Sequence, residues 1–405
     1  MSKLEKVLNY ASIHNTFYIK KIKENNIINP LSILEYPITT REMLQENKDL
    51  LLSPEYQTNL ITNHLYIMSS SGTSGVPIET LWDPNQYGKS MLCLWRRRKR
   101  YYNISPNDKH IDFMLKYYNN LPTNDLKYSV SGNTISVNRL NLSSETVMQD
   151  FFKLMQAFQP VWLQLAPSVM EMIINHCEIN NNSLPSSIRY VEFLSEILTP
   201  SMRIRTKQFI PNVEIANMYG SEEMNAIAYE CPYGHMHIIS DNVYAECYDG
   251  FSIQPCGAGT MILTNLNNIV NPLIRYDQGD RVILTPEIQC ECGYRDKIIS
   301  ELIGRQSSIA HINGKTITTC DISDIMLIVS NRFNRPILKY KFIYETNSAK
   351  MTCYTVFNKS MLGWKNTIWK TINDLIVEKY GDIHITFVMD DYDKLAYKHD
   401  LFVVK

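Results

Sequence analysis

The sequence predicts an α/β protein of more than one domain, and three observations support this. The chain has 405 residues, whereas a single hydrophobic core usually stops growing near roughly 250–300 residues. Between residues 60 and 300, strand-like apolar runs alternate with helical patterns, as in α/β folds. After residue 305 the pattern resembles a compact α+β domain. We therefore expect one domain over residues 1–305 and a smaller one over residues 306–405.

Apolar spacing and capping residues predict the individual elements. Near the N-terminus, residues 39–48 have the pattern of a Thr-capped helix, with Glu42 close behind the cap. Further along, helices are expected at 151–158 and 168–177, and strands at 190–193 and 261–266. In the smaller domain we expect a helix at 367–380 and strands at 339–344, 351–357 and 383–388.

Composition and charge exclude several classes of protein. The chain carries 40 basic and 41 acidic side chains, so it has no global field to hold nucleic acid. No apolar run approaches the roughly 18–20 residues that cross a bilayer. The first 21 residues contain charges every few positions and lack the apolar region of a secretory signal. Nine cysteines are too sparse for a disulfide scaffold. We expect a cytoplasmic protein that contacts neither nucleic acid nor membrane.

A loop at residues 69–77 is dense in serine, threonine and glycine and follows a strand-like run at 65–68. Its backbone N–H groups can turn toward one anion, which is the geometry of a phosphate-binding nest. The Gly-Lys-Ser/Thr ending of a Walker A loop is absent. By itself, the segment is also consistent with a flexible surface loop.

Three later segments have side chains suited to a nucleotide. In residues 217–223 (NMYGSEE), the Tyr219 ring can stack on a purine, and a following carboxylate can hold Mg²⁺. In residues 272–280, Asp280 follows a glycine turn and can accept bonds from both ribose hydroxyls. Arg305 follows Gly304 and has a planar cationic fork suited to phosphate or ribose. Each segment alone is also consistent with an ordinary turn.

Together and in this order, the four segments resemble the motifs of the adenylate-forming enzymes, specifically the phenylacetate–CoA ligase and capsular-polysaccharide CapK-like branch. The family motifs read SSGTTGxP, YGxxE, RYxxGD and GR, and this chain has SSGTSGVP, YGSEE, RYDQGD and GR. Residues 36–41, 103–109 and 264–266 are also similar to family segments. The resemblance covers residues 36–314 and continues more weakly to the end.

The resemblance implies a large N-terminal adenylation domain of α/β subdomains and a small, mobile α+β lid. It implies ATP-dependent activation of a small carboxylic acid to an acyl-AMP with pyrophosphate release. The acyl group then passes to a thiol, that of CoA or of a phosphopantetheinyl carrier protein. Two alternatives remain: a ligase that transfers the acyl group to an amine or hydroxyl, and a non-catalytic paralogue that binds nucleotide.

The resemblance also implies roles for individual residues. The ATP phosphates would be wrapped by Ser70, Ser71, Gly72, Thr73, Ser74 and Gly75. The rest of the nucleotide would be bound by Asn217, Met218, Tyr219, Gly220, Asp280 and Arg305, with Ser195 and Glu196 at a turn beside the adenine. Glu223 would coordinate Mg²⁺. Lys394 best matches the lysine that the lid delivers during adenylation, although Asp393 replaces the preceding glycine, and Lys398 competes with it.

A further set of metal-ligating side chains lies at residues 231–237 and 290–292. It contains three cysteines and two histidines: Cys231, His235, His237, Cys290 and Cys292. Three thiolates and one imidazole form a closed tetrahedral zinc set, although isolated groups are the alternative interpretation. The resemblance implies a structural zinc held by Cys231, His237, Cys290 and Cys292. His237 is preferred to His235 because it matches the family's Gly-x-His.

The chain departs from the family in two places and has one dense basic run. Val76 stands where many relatives have lysine, and Ser307 and Ser308 replace the acidic pair of the hinge. The basic run is residues 95–100 (WRRRKR). It is expected to form a solvated face or structural salt bridges; the alternative is a docking point for CoA phosphates or an acidic carrier protein.

Overall fold

The computed structural model describes residues 1–69, 78–113, 117–118, 121–122, 127–139, 142, 145–305, 308–333, 336–390 and 401–405. They form two compact units, described separately here. The first unit is Met1–Pro106 with Ala216–Ile303, and the second is Asn107–Ile215 with Gly304–Lys405. The predicted α/β class is confirmed, whereas the domain boundary at 305/306 stays a prediction. Within the described part of the chain, no helix is long and apolar enough to span a membrane.

Helices occur throughout the chain. They are α1 (Lys3–His14), α2 (Thr16–Glu24), α3 (Arg41–Glu46), α4 (Lys48–Leu51), α5 (Gln57–Ile61), α6 (Pro84–Tyr102), α7 (Glu145–Phe158), α8 (Pro167–Asn180), α9 (Pro200–Phe209), α10 (Thr319–Arg332) and α11 (Lys365–Tyr380). Side chains fix several starts, as expected for helix caps. Thr40 accepts a bond from the Met43 N–H ahead of α3, and Asp83 accepts bonds from two N–H groups ahead of α6.

The strands fall into several sheets. They are β1 (Tyr66–Ser69), β2 (Glu79–Trp82), β3 (His110–Asp112), β4 (Tyr117–Tyr118), β5 (Leu121–Pro122), β6 (Tyr128–Ser131), β7 (Thr134–Val137), β8 (Trp162–Leu165), β9 (Tyr190–Phe193), β10 (Glu214–Ser221), β11 (Asn225–Glu230), β12 (Met236–Ile238), β13 (Val243–Tyr248), β14 (Ile253–Gln254), β15 (Gly257–Asn265), β16 (Tyr276–Thr285), β17 (Ile298–Arg305), β18 (Ile309–Ile312), β19 (Lys315–Thr318), β20 (Ile337–Glu345), β21 (Lys350–Phe357), β22 (His384–Met389) and β23 (Phe402–Val404).

In the first unit, the strands follow the order β14-β13-β15-β16-β17-β12-β11-β10. The pairs β10–β11, β11–β12, β13–β15 and β15–β16 are antiparallel. Apolar side chains of α1 and α2, such as Leu8 and Phe17, share one buried core with Ile227, Met261 and Leu263 of the sheet. Burial of this area is the main stabilising contribution here. The arrangement places β10 and β16, which carry the aromatic turn and the ribose motif, in one sheet.

In the second unit, β9, β8, β3 and β7 are parallel, and β6 adds an antiparallel edge. The apolar faces of α7 and α8 pack on this sheet in one core with Leu163 and Val191. Residues after 308 have a core of their own, built from α10, α11 and the sheet β22-β21-β20-β23. The α+β pattern predicted for the C-terminal residues is confirmed.

The elements predicted from apolar periodicity are confirmed, with small shifts at their ends. The strand at 190–193 matches β9, the helix at 367–380 lies within α11, and the strand at 351–357 lies within β21. The helix expected at 39–48 ends earlier, because α3 stops at Glu46 and α4 begins at Lys48.

Candidate functional site

The aromatic turn and the ribose motif meet in the first unit. Tyr219 lies near the end of β10, at a register shift in its pairing with β11. Gly220 follows, and a Cβ there would lie 2.4 Å from the Asn225 carbonyl oxygen, so only glycine allows this close approach. On β16, Gly279 adopts a φ of +86°, which favours glycine and directs the chain into Asp280.

Tyr219 and Asp280 are hydrogen-bonded although 61 positions separate them in sequence. The Tyr219 hydroxyl donates to Asp280 Oδ2 at 2.5 Å. Gln278 Nε2 donates to the same carboxylate oxygen at 3.0 Å and also to the Tyr219 hydroxyl. These bonds fix the orientation of the Asp280 carboxylate and of the edge of the Tyr219 ring. An aromatic ring and a carboxyl acceptor therefore lie side by side.

The start of β16 is anchored to the N-terminal segment. The Thr39 N–H donates to the Arg275 carbonyl at 2.8 Å, and the Asp277 N–H donates to the Thr39 carbonyl at 3.0 Å. The Arg275 guanidinium is buried and makes a two-pronged pair with Glu246, Nε–Oε2 at 3.0 Å and Nη2–Oε1 at 2.7 Å. Its Nη1 donates to the Tyr36 carbonyl at 2.9 Å. The ribose motif is thus attached to residues 36–39, one of the segments that resemble the family.

Glu223 lies four residues after Tyr219 and is buried, with 5% of its surface exposed. The Tyr276 hydroxyl donates to its Oε1 at 3.5 Å, and the Asn265 side-chain amide donates to its backbone carbonyl at 3.1 Å. Burial raises the pKa of Glu223, because the charged form loses hydration. Of the other predicted nucleotide contacts on β10, Asn217 donates its N–H to Glu230 Oε2 at 2.8 Å, and Met218 pairs with Tyr229 of β11.

Three predicted nucleotide contacts lie in the second unit. Ser195 has a φ of +70°, which marks a tight turn after β9. Glu196 accepts bonds from both the N–H (3.1 Å) and the hydroxyl (2.8 Å) of Ser168, at the start of α8. Arg305 is the last residue of β17. Their proximity to a nucleotide stays a prediction.

Other predicted residues lie outside the described part of the chain. They are the phosphate loop from Ser70 to Gly75 with Val76, the hinge residue Ser307, and both candidate lid lysines, Lys394 and Lys398. The flanks of the phosphate loop are described: β1 and β2 pair as antiparallel strands, with Ser69 opposite Glu79.

The cysteines and histidines of the predicted metal set come together in the first unit. Four side chains, those of Cys231, His235, His237 and Cys290, each offer one ligand atom, and these four atoms all lie within 4.8 Å of one another. Cys292 joins them, because its Sγ is 3.4 Å from His237 Nε2. The five side chains therefore form one cluster, called the Cys/His cluster below. It contains both histidines between which the sequence left a choice.

Two similar turns present the cysteines. The Cys231 N–H bonds the His235 carbonyl and the Gly234 N–H bonds the Cys231 carbonyl, both at 2.9 Å. In the second turn the Cys290 N–H bonds the Tyr294 carbonyl, and the Gly293 N–H bonds the Cys290 carbonyl at 2.9 Å. Gly234 and Gly293 both have positive φ, +78° and +86°. Each glycine lets the chain close tightly behind a cysteine.

The chemistry of the Cys/His cluster fits a zinc ion. Its donors are thiols and imidazoles, and none of these cysteines is in a disulfide. Burial lowers the pKa of His237 to about 4, so its ring stays neutral, as a metal ligand must. His237 is fully buried, and its Nδ1 has no hydrogen-bond partner among the described residues. The other ring nitrogen, Nε2, faces Cys292 Sγ at 3.4 Å, so a metal held together with this thiol would bind Nε2.

Comparisons with known proteins agree with the motifs. No family model matches the chain. Protein CapK of Staphylococcus aureus is 22% identical over 408 residues, covering 95% of this chain and 84% of that protein. Phenylacetate-coenzyme A ligase of Thermus thermophilus is 24% identical over 184 residues, covering 44% of this chain and 41% of the ligase.

The fold matches that of solved ligases. The crystal structure of 2-hydroxyisobutyryl-CoA ligase in the postadenylation state superposes with a TM-score of 0.76 at 15% identity, covering 100% of this chain and 88% of the ligase. The chain has the adenylate-forming fold. The resemblance to the phenylacetate–CoA ligase and CapK-like branch, drawn from the motifs, is confirmed.

Several site residues were not assigned a role from the sequence. Gln278 occupies a variable position of the ribose motif, so the motif itself gave no signal. The glycine three residues after each of Cys231 and Cys290 is visible in the sequence and would have supported the paired turns. The pairing of Arg275 with Glu246 depends on the strand order and has no local sequence signal.

Proposed function

We propose that this chain is an ATP-dependent enzyme that activates a carboxylic acid and transfers the acyl group to a thiol. A carboxylate oxygen of the acid attacks the ATP α-phosphorus, pyrophosphate leaves, and an acyl-AMP forms. The thiol then attacks the acyl carbon and AMP leaves. The observation that carries the proposal is the bonded pair of Tyr219 and Asp280, which unites two nucleotide motifs in one place.

The nucleotide roles follow from the chemistry of these side chains. The Tyr219 ring stacks on adenine, with Asn217, Met218 and Gly220 beside it on β10. Asp280 accepts bonds from the ribose hydroxyls while Tyr219 and Gln278 hold its carboxylate in place. Ser195, Glu196 and Arg305 keep the nucleotide-binding roles that the family motifs imply, and the N–H groups of residues 70–75 bind the phosphates.

Glu223 is the proposed magnesium ligand. Mg²⁺ usually binds one or two protein carboxylates together with substrate phosphates, and it neutralises charge on the leaving pyrophosphate. A buried carboxylate with a raised pKa fits this role, because a nearby cation offsets the cost of its ionisation.

A lysine of the C-terminal residues would complete the adenylation step. Positive charge placed beside the α-phosphate stabilises the negative charge that develops in the transition state. We assign this role to Lys394, with Lys398 as the competitor, and expect a hinge near Arg305 to deliver it.

The Cys/His cluster would hold a structural zinc. We assign the ion to Cys231, His237, Cys290 and Cys292 as a closed set of four ligands. His235 is a further donor, since its ligand atom lies within 4.8 Å of those of Cys231, His237 and Cys290. A closed set joins the two cysteine turns and leaves no position for substrate. Metal analysis should find one zinc per chain, and chelation should lower thermal stability. Metal-free protein that is equally stable with and without chelator would exclude this ion.

The acyl acceptor is CoA or a phosphopantetheinyl carrier protein. Among the similar proteins, one is named phenylacetate-coenzyme A ligase and another 2-hydroxyisobutyryl-CoA ligase. A cytoplasmic location, where CoA and ATP are plentiful, stays a prediction.

The decisive assay is acid-dependent exchange of pyrophosphate into ATP, with aromatic, aliphatic and amino acids tested separately. Exchange that needs an acid and is lost in Asp280→Ala is the expected result. Well-folded protein that exchanges with no acid of a broad panel would contradict the proposal. For an active acid, mass spectrometry of the product with CoA, a carrier protein, amines and alcohols identifies the acceptor.

A further inference from the structure

The C-terminal end of α6 packs against the cysteine turn at residues 290–294. Tyr294 of this turn lies beneath two guanidinium groups, with Arg97 4.2 Å and Arg100 4.9 Å from its ring centre. The contact is close, since a Cβ on Gly293 would lie 2.0 Å from Arg100 Nη2. The basic run at 95–100 therefore supplies part of the support of the Cys/His cluster, in keeping with its structural interpretation.

Arg97 fixes this end of the helix. Its side chain is buried and donates through Nη2 to Asp296 Oδ2 at 2.9 Å and to the Ile238 carbonyl at 3.3 Å. Asp296 also accepts a bond from the Ser240 hydroxyl at 2.5 Å. Ile238 is the last residue of β12, the strand that carries His237. Arg97 therefore connects α6 both to the histidine strand and to the segment that follows the cysteine turn.

Tyr101 reaches the Cys/His cluster itself. Its hydroxyl lies 3.4 Å from Cys292 Sγ, within hydrogen-bond range for sulfur. Its ring is held by a stacked contact with Tyr229 at 6.2 Å and an edge contact with Tyr294 at 5.7 Å. Arg97 Nη1 donates to the Tyr101 hydroxyl oxygen at 3.5 Å, which leaves the hydroxyl proton directed elsewhere.

From this geometry we infer that Tyr101 is a positioning residue of the metal centre, donating a hydrogen bond to the Cys292 thiolate. The inference rests on the zinc proposed above. A thiolate on a metal has no proton, so in this pair only the tyrosine can donate. Such a bond withdraws electron density from the sulfur and fixes its direction toward the metal. Loss of comparable partners of metal ligands typically lowers metal affinity by about 10–100-fold.

The test compares Tyr101→Phe with Tyr102→Phe in the full-length chain. Phenylalanine keeps the ring contacts and removes only the hydroxyl. Tyr102 is the matched control, because it is the next residue of α6 and its hydroxyl donates to a backbone carbonyl, that of Glu230, at 3.0 Å. The two measurements are the rate of zinc transfer to a chromophoric chelator and the thiolate-to-metal absorption bands of the Co²⁺-loaded protein.

Tyr101→Phe should release zinc about 10–100-fold faster and shift the cobalt charge-transfer bands to longer wavelength, since the sulfur electrons are no longer stabilised by the bond. Tyr102→Phe should leave these bands in place. The inference about Tyr101 would be wrong if Tyr101→Phe had the same bands and release rate as wild type, or if both variants changed equally. Either result would leave the zinc proposal standing. A wild-type chain that binds neither Zn²⁺ nor Co²⁺ would overturn the inference together with the zinc proposal, while pyrophosphate exchange would still report on the ligase activity.

Discussion

Arg275 and Glu246 form a buried ion pair beside the ribose motif, and breaking it should destabilise the first unit. Each side chain is only 4% exposed, and two parallel bonds of 3.0 and 2.7 Å join them. In Glu246→Gln an NH₂ group replaces one carboxylate oxygen and faces a guanidinium N–H, so one bond is lost and Arg275 loses the negative charge that Glu246 supplies. Removing one partner of a buried pair costs about 3–5 kcal/mol. At roughly 2–4 °C per kcal/mol for a unit of this size, Tm should fall by about 6–20 °C.

Thermal unfolding followed by circular dichroism tests this value against a matched control. Glu287→Gln makes the same carboxylate-to-amide change in an exposed pair, where Arg295 Nε is 4.0 Å from Glu287 Oε2 and the side chains are 73% and 59% exposed. An exposed pair contributes at most about 1 kcal/mol. If Glu246→Gln lowered Tm no more than Glu287→Gln, the assignment of a strongly stabilising buried pair would be wrong.

Three further predictions concern the nucleotide site, the lid and the C-terminal core. Tyr219→Phe removes the bond to Asp280, so KM for ATP should rise about 10-fold, as expected for a hydrogen bond to a charged group; an unchanged KM would contradict its role. Lys394→Ala should slow pyrophosphate exchange by about 10²–10³-fold and Lys398→Ala should not; the reverse would assign the role to Lys398, and two unaffected rates would refute a lid lysine here. Asp321→Asn should lower stability at neutral pH, with the loss shrinking as the pH falls below 3.8, which is the usual pKa of its carboxyl group.

The sign of the last prediction follows from the contacts of Asp321. Burial raises its pKa, but bonds from Lys379 Nζ at 2.6 Å and from the Thr318 N–H at 2.9 Å outweigh burial and lower it. The stabilisation is therefore present above the usual pKa and is lost as the pH falls through the lowered one. A loss of stability in Asp321→Asn that was independent of pH would contradict this.

For Tyr219→Phe, the control is Tyr248→Phe, whose exposed hydroxyl bonds only the Gly250 carbonyl at 2.8 Å among the described residues.

The fold could be predicted from the sequence where a local pattern decides the outcome. The threonines at the start of residues 39–48 predicted a capped helix, and an unbroken apolar run predicted β9, because both depend on residues adjacent in the chain. The break between α3 and α4 was missed. Asn47, with backbone angles of −121° and 23°, interrupts a pattern that remains helical in composition.

The candidate site could be predicted only as far as its motifs and ligand types extend. The motifs named Tyr219 and Asp280, and the residue types of the Cys/His cluster indicated a metal. What holds these groups in place was not visible, since Tyr101 is 191 positions from Cys292 and the two meet only once the sheet has formed. The basic run is the clearest example: the sequence predicted a solvated face or structural salt bridges without deciding between them, and the structure shows Arg97 buried and paired with Asp296.

The most direct test of the central proposal is a crystal structure of the chain with AMP bound. The account predicts adenine against the Tyr219 ring and ribose hydroxyls on the Asp280 carboxylate, with the phosphate directed to the loop at residues 70–75. Well-defined AMP density elsewhere on the molecule, with none against Tyr219 and Asp280, would contradict it.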